Sequence, residues 1–455
     1  MNETSMSGRN KGVQASDKEM KKRTWQLYLN KLIAREISKA TRYYDAVIQI
    51  FPREGDSGFL LNNIDAPEKY FNRDRDVWPE VNAKEGSRSG ILLNGTINHH
   101  HDIEGLLVGI KRKLGRYDRV ILVAYNPYLS WLYRLASRLG FRRGEIPTTF
   151  VTRVDLDNIA KLAGLEVVRS RPVGYIPWKL FGLGDLINRV VVAVPLVNIF
   201  SFASVIYMRP IVRSQGLSLS CVVPARNERD NIEPAVKRMP DLDCALEVIF
   251  IEGHSSDGTW EEIERVAKMY GDKFKIRALK QTGKGKNDAV RLGFREAQGD
   301  LLTVLDADLT MPPELLSRFY QAYCEGHADF INGSRLVYPM EKGAMQSLNR
   351  LGNVFFAKAL SWVLNVRIGD SLCGTKMLSR HDYKRAVCWR NDFGDFDPFG
   401  DFELLFPAAI LGLGIVDVPI RYRERTYGST NIHRFRHGWY LLRMTLYGFM
   451  RIRLG

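Results

Sequence analysis

Cysteine is scarce and badly placed for a framework. The five residues, Cys221, Cys244, Cys324, Cys373 and Cys388, are odd in number and widely spread. They lack metal-finger spacing, which argues against a disulfide scaffold or a structural zinc module and fits a reducing, cytosolic compartment. Internal repeats and low-complexity blocks are missing. The opening stretch "MNETSMSGRNKGVQASDKEMKKR" has no apolar core of the kind a secretory signal needs, so residues 1–25 are expected to be a disordered lead-in. Long charge-free runs are scarce too. One, "VVVAVPLVNIFSFASVIYM" at 190–208, nearly reaches bilayer-spanning length, but Pro195, Asn198, Ser201 and Ser204 interrupt it. A buried helix followed by a core strand is the favoured expectation, with a membrane span as the alternative.

What is present is enough for two cores. A chain of 455 residues, 45% hydrophobic and 26% charged, is globular and too long for one ordinary domain. The formal charge of +15 asks for an anionic partner: nucleic acid, a membrane surface or a phosphorylated substrate. From Arg421 to Gly455 there are eight arginines against one acid, Glu424, a net +7, so about half the excess sits in this one stretch. The two halves meet near "RPIVRSQGLS" (209–218), where an apolar run gives way to Pro, Arg, Ser and Gly.

The second half alternates between strand and helix patterns: "LSLSCVVPA", "ERDNIEPAVKRM", "LEVIFIEG", "TWEEIERVAKMY", "FKIRALKQ", "GKNDAVRLGFREA", "DLLTVLDAD", "PELLSRFYQAYC". Such alternation implies a mostly parallel open sheet with helices on both faces and a ligand crevice at the carboxyl ends of the strands. Asn227 and Glu228, then Glu252 and Asp257, then Asp306 and Asp308 stand at those ends. In "LLTVLDADLTMPPE", strand alternation would place Asp306 and Asp308 on one side, where two carboxylates suggest a hard cation, Mg2+ or Mn2+, gripping a diphosphate. Alone, the pair is more readily a solvated strand end before a helix led by Pro312 and Pro313. "TGKGK" offers Lys284 and Lys286 among glycines at a helix start suited to an anion. It lacks the Walker spacing, and a solvated turn accounts for it equally well.

Taken together, "VVPARNERDNI", "IEGHSSDGTW", "TGKGKNDAVRLGFREAQGD", "LDADLTMPPE", "INGSR", "IGDSLCGTKMLSR", "FGDFELLF" and "VDVPIRYRERTYGSTNI" follow one another as in family-2 glycosyltransferases of GT-A fold. The chain resembles the polyprenyl-phosphate mannosyl- and glucosyltransferase branch over residues 217–432. The resemblance implies nucleotide-sugar donor contacts at Pro224, Ala225, Asn227, Glu228, Glu252, Asp257, Lys284, Asp306 and Arg335, and a metal at Asp306, Asp308 and Thr310. It implies that Arg335 and Arg425 bind diphosphate or acceptor phosphate. The family usually carries paired aspartates where Glu252 and Gly253 stand, and often Gln where Thr310 stands. For inverting transfer to a hydroxyl, Asp401 is the first candidate base and Glu403 the second, although helix capping explains Asp401 equally well. An ionised phosphate acceptor would need no strong base.

Two segments lie outside that match. The basic tail, residues 433–455, interleaves Trp439, Leu442 and Tyr447 with Arg443, Arg451 and Arg453. Two expectations stand side by side: an interfacial helix on an anionic membrane, or a terminal helix packed on the sheet. Its apolar content argues against nucleic acid. Residues 26–212 are expected to form a domain of their own, and "SGILLNGTINHHHDIEGLLVGIKRKLGRYDRVILVAYN" with "TRVDLDNIAKLAGLEVVRSRPVG" resembles the carboxyl-terminal half of class I methyltransferase domains. The glycine loop that such a domain uses for S-adenosylmethionine is missing between Tyr43 and Arg88, which implies a degenerate domain with a scaffold or docking role. His99, His100 and His101 point different ways and make a poor metal set. The expectation is an inverting, Mg2+- or Mn2+-dependent glycosyltransferase, catalytic through Asp401, Glu403 and Arg425, with a GT-A domain at 213–432. It would be cytoplasmic and peripheral at the inner membrane face, with a polyprenyl phosphate as one possible acceptor. The alternatives are a bifunctional methyl- and glycosyltransferase and a non-catalytic nucleotide-sugar-binding scaffold.

Overall fold

The computed structural model describes residues 24–73, 86–139, 146–339, 347–394, 397, 400–423, 427 and 434–455, so most of the expected lead-in lies outside the described residues. The chain divides into two compact units, Met1–Ile211 with Arg453–Gly455, and Val212–Ile452.

The first unit opens with helix α1 (Thr24–Thr41), strand β1 (Ala46–Gln49), a short helix α2 (Phe59–Asn63) and strand β2 (Glu68–Phe71). It continues through β3 (Ser89–Asn94), α3 (Ile103–Lys111), β4 (Arg119–Tyr125), α4 (Ser130–Arg138), α5 (Arg153–Leu162), β5 (Leu165–Val173), α6 (Leu183–Val191) and β6 (Ala203–Pro210). Its six-stranded sheet has the order β2-β1-β3-β4-β6-β5. The first four strands are parallel, and β6 runs antiparallel to both β4 and β5. Side chains fix the helix starts: Asp102 caps α3 through the Gly105 amide at 2.8 Å, and Thr152 caps α5. The apolar run at 190–208 is therefore the end of α6, a 3-10 turn at Pro195–Phe200 and the core strand β6. No helix among the described residues is long and apolar enough to cross a membrane. The strand half of that expectation holds, but α6 is not a buried helix: Leu183, Leu186 and Val190 stand 47–57% exposed.

The second unit has a seven-stranded sheet of order β13-β11-β12-β10-β7-β8-β9. Its first part is β7 (Leu219–Ala225), α7 (Arg229–Lys237), β8 (Leu246–Glu252), α8 (Thr259–Tyr270), β9 (Lys275–Lys280), α9 (Lys286–Glu296) and β10 (Leu301–Val304). Then come α10 (Leu316–Cys324), β11 (Phe330–Ser334), α11 (Ser347–Leu364), β12 (Lys376–Ser379), α12 (Arg380–Phe393), α13 (Asp401–Ile410), β13 (Ile415–Pro419) and α14 (Arg434–Gly448). The open, mostly parallel α/β sheet expected from the alternation is present. β12 alone is antiparallel, set between β10 and β11. Central strands covered on both faces read as unbroken apolar runs, and β7 and β8 are buried almost throughout. Strand order reverses between β7 and β10, and that reversal opens a crevice at their carboxyl ends.

The tail forms α14, with Leu441 and Met444 buried. Trp362 of α11 stacks on Phe449 at 5.0 Å, and the Tyr447 hydroxyl donates to the Phe393 carbonyl at 3.1 Å. Its inner face packs on helices α11 and α12, while Trp439 and Leu446 stay exposed.

The first unit also buries charge. Glu36 is shared by Lys39 at 2.9 Å, Arg169 at 2.9 Å and Arg171 at 3.7 Å. Burial pushes the Glu36 carboxyl up, but Lys39, Arg171 and Arg169 outweigh it and hold it at about 2. A carboxyl depressed in the folded state contributes stability above its unfolded value of 4.5, and that contribution is lost as the pH falls toward 2. The stability gap between the parent and Glu36→Gln is therefore expected to shrink by about 3 kcal/mol across that window, measured by urea unfolding at stepped pH.

Candidate active site

The crevice of the second unit is walled by loops that hold each other. After β7, Asn227 adopts a left-handed backbone with φ of 55°, and its amide donates to Ser255 Oγ at 3.0 Å while its side-chain oxygen accepts from the Ser256 amide at 2.9 Å. The Arg229 amide donates to Asp257 at 3.2 Å, and the Glu228 amide to Thr259 at 3.0 Å. Glu228 is buried, accepting from Asn231 at 2.6 Å, and Glu252 accepts from the Ser255 amide at 2.5 Å. Of the expected donor-side residues, Pro224, Ala225 and Glu252 end the paired strands β7 and β8, and Asn227, Glu228 and Asp257 lie in the laced loops that follow. Asp257 is held below the usual carboxylate range, since bonds from Thr259 and Arg229 outweigh burial. Lys284 stands exposed just before α9.

Asp306 and Asp308 do not sit on a strand. β10 ends at Val304, and both acids occupy the following turn, where the Leu309 amide donates to the Asp306 carbonyl at 3.2 Å and Leu309 has φ of 55°. Strand alternation therefore does not place them; the turn does. Thr310 turns its hydroxyl and amide onto Asp308 Oδ1, at 2.8 and 3.1 Å, and so orients the acid. The Lys286 ammonium, from the first turn of α9, bonds Asp306. Burial works against the charge of both partners, yet the ion pair prevails: Asp306 is lowered, and Lys286 is raised by Asp306, Asp401 and Asp308. A Cβ on Gly374 would collide with Asp306 Oδ2 and Lys286 Nζ, so the glycine lets this backbone approach the pair without displacing it.

Several residues that shape the site were not singled out in the sequence. Lys376, at the start of β12 and fully buried, bonds Asp401 at 2.5 Å and the Cys373 carbonyl. Asp370 takes both arms of the Arg335 guanidinium, at 2.7 and 2.9 Å, and Arg335 lies over the Tyr422 ring at 5.5 Å. Arg335 is thus committed to Asp370 while its charge still lowers Asp306. The amides of Phe402 and Glu403 donate to Asp397, so this acid, and not Asp401, caps α13. Glu403 is buried and gripped by Asn287 at 2.8 Å, Arg291 at 2.7 Å and Arg390. Its lone pairs are taken up in fastening α13 to α9 and α12, whereas Asp401 keeps a partly exposed carboxylate. The "GTK" and "GDS" segments were the only signal for Lys376 and Asp370, and nothing in their spacing marked either. Arg425 and Gly428 lie outside the described residues.

No group of three or more His, Cys, Asp or Glu suited to a metal occurs among the described residues. The two turn carboxylates are hard oxygen donors, and such a pair suits an ion that completes its shell with phosphate oxygens.

An open α/β sheet brings carboxylates and lysines together at its switch point. Residues 220–385 match the glycosyl transferase family 2. A dolichyl-phosphate hexose transferase of Haloferax volcanii is 30% identical over 223 residues, 48% of this chain and 89% of that protein. A dolichol-phosphate mannosyltransferase of Pyrococcus furiosus is 37% identical over 123 residues, 27% of this chain, and the match spans only 34% of that protein's length. A Pyrobaculum calidifontis mannosyltransferase solved with GDP-Man and Mn2+ superposes with a TM-score of 0.34 at 19% identity, covering 49% of this chain and 59% of that one. The chain belongs to glycosyl transferase family 2.

The Glu403 clamp generates a prediction. Glu403→Ala leaves two arginines without their acid and is expected to cost about 3–5 kcal/mol of stability. Asp397→Ala, which removes the cap of α13, is expected to cost less, about 1–2 kcal/mol. Urea unfolding of the full chain measures both.

Proposed function

We propose that this chain is an inverting, metal-dependent glycosyltransferase that moves a sugar from a nucleotide-sugar donor to a polyprenyl phosphate at the cytoplasmic face of a membrane. The observation that carries the reading is the convergence of Asp306, Asp308, Lys286, Lys376 and Asp401 at the switch point of the second sheet. The dolichyl-phosphate hexose transferase relative supports the acceptor class.

Asp306 and Asp308 would hold a Mg2+ or Mn2+ ion, with Thr310 acting through Asp308. When bound, that ion supplies charge neutralisation for the donor diphosphate. The loops at Asn227 and Asp257 hold the nucleoside. Lys286 and the exposed Lys284 face the diphosphate as negative charge builds on the departing oxygen. An acceptor oxygen attacks the anomeric carbon from the opposite side, the bond from that carbon to the diphosphate breaks, and the nucleoside diphosphate leaves with the electron pair. With an ionised phosphate acceptor no proton moves. With a hydroxyl acceptor, Asp401 takes the proton and Lys376 steadies the carboxylate. Glu403 positions the helix that presents Asp401.

The first unit is assigned a scaffold or docking role without S-adenosylmethionine. After β1, Arg53 donates to the Asn94 carbonyl and the Tyr125 hydroxyl, and Asp56 accepts from Gln49 and Asn94 at 2.8 and 2.9 Å. These bonds cross the strand ends of β1, β3 and β4.

Transfer from UDP-, GDP- and dTDP-sugars to short polyprenyl phosphates, with and without Mn2+, tests the reading. Asp308→Ala is expected to abolish metal-stimulated transfer, and unchanged activity in that variant would sink the metal assignment. Asp401→Asn is expected to lower kcat by about 10²–10⁴ with a hydroxyl acceptor and little with a phosphate acceptor. Calorimetry of the full chain with S-adenosylmethionine is expected to show no heat of binding.

A further inference from the structure

We propose that the first unit carries a binding site for the phosphate headgroup of a membrane lipid, with the phosphate in a cationic pocket behind α6 and the outer apolar face of α6 in the bilayer interface. The inference uses residues of the first unit alone and is independent of the transferase reading.

The pocket is a shallow cleft of about 70 Å³, open to solvent. Five cations line it, Arg35, Lys39, Arg171, Arg189 and Arg453, against three anionic groups, Glu36, Asp185 and the terminal carboxylate of Gly455. Glu36 already serves Lys39, Arg169 and Arg171, and Asp185 accepts from the Tyr28 hydroxyl at 2.8 Å. Arg171 and Arg453 are each only 3% exposed, and Arg171 donates to the Arg453 carbonyl while Arg453 donates to the Val192 carbonyl at 3.0 Å. Burial, then the neighbouring Arg171, pulls Arg453 down to about 10. Cations crowded out of water in this way favour a further anion, and a phosphate brings one or two negative charges and several acceptor oxygens.

The second observation is the other side of the same helix. Asp185, Asn188, Arg189 and Val192 of α6 and its end line the pocket. Leu183, Leu186 and Val190 point out, 47–57% exposed. Just before α6, Leu180 and Phe181 have φ of 43° and 53°, and Phe181 is completely exposed. Nine of the 27 exposed large apolar residues among the described ones fall between Trp178 and Phe200. An apolar face with a Trp and Lys179 and Arg189 at its edges has the composition of an interfacial membrane element. A second copy is a poorer occupant, because a two-fold contact would set the cationic pocket beside its own duplicate.

Flotation of the full chain with phosphatidylcholine vesicles, with and without phosphatidic acid, tests the proposal. Binding is expected only with phosphatidic acid. Replacing two lining cations that reach solvent, in Arg35→Ala/Arg189→Ala, is expected to weaken it about thirty-fold. Leu186→Glu/Val190→Glu is expected to abolish it, with an unchanged thermal unfolding midpoint showing that the fold is intact. Equal binding to phosphatidylcholine alone would overturn the headgroup site. Calorimetric binding of inorganic phosphate without flotation would overturn the lipid assignment. A dimer in solution that Leu186→Glu/Val190→Glu dissociates, with no flotation, would show the apolar face to be a contact between copies.

Discussion

The ion pair between Lys286 and Asp306 is the constraint around which the second unit is arranged. Both partners are only partly buried, and burial works against the charge of each. Their charge survives because each is the other's counterion. The pair ties the start of α9 to the turn after β10, across the place where strand order reverses. The backbone at Gly374 closes over it because it carries no Cβ. Lys376, two residues further on, faces Asp401, so one short segment serves both ends of the crevice.

Around this centre, charge is used in two ways. Pairs such as Arg335 with Asp370, and Arg291 and Arg390 with Glu403, are saturated: each acid spends its lone pairs on fixed donors. They hold loops and helices in position, and their worth lies in what their removal would leave unpaired. Asp308 and Asp401 differ, since each is oriented by a neighbour and stands partly exposed. The first unit reverses the balance. There the cations outnumber the acids along the pocket, and the same helix that lines it turns apolar residues to solvent.

The alternation of strand and helix in the second half was plain in the sequence because each element there carries its own pattern. Strand-end polarity at Asn227, Asp257 and Asp306 was plain for the same reason. Other features gave no local sign. Lys376 and Asp370 look like any polar residues in a loop, and their partners Asp401 and Arg335 are 25 and 35 residues away. Glu403 and Asp401 could not be told apart two positions from each other, because their difference lies in Arg291 and Arg390, which arrive from separate helices.

The sequence by itself determined the α/β character of the second half, the place of its crevice and the residues that reach it. All three follow from periodicity and from turn chemistry over a dozen residues at most. Tertiary structure decided what each of those residues bonds. It moved Asp306 and Asp308 off the strand onto a turn, gave the cap of α13 to Asp397, and turned the apolar run before β6 outward at α6. The turn and the cap are local arrangements that a strand or helix period does not predict, whereas the partners that hold Asp306, Asp401 and Glu403 come from distant parts of the chain.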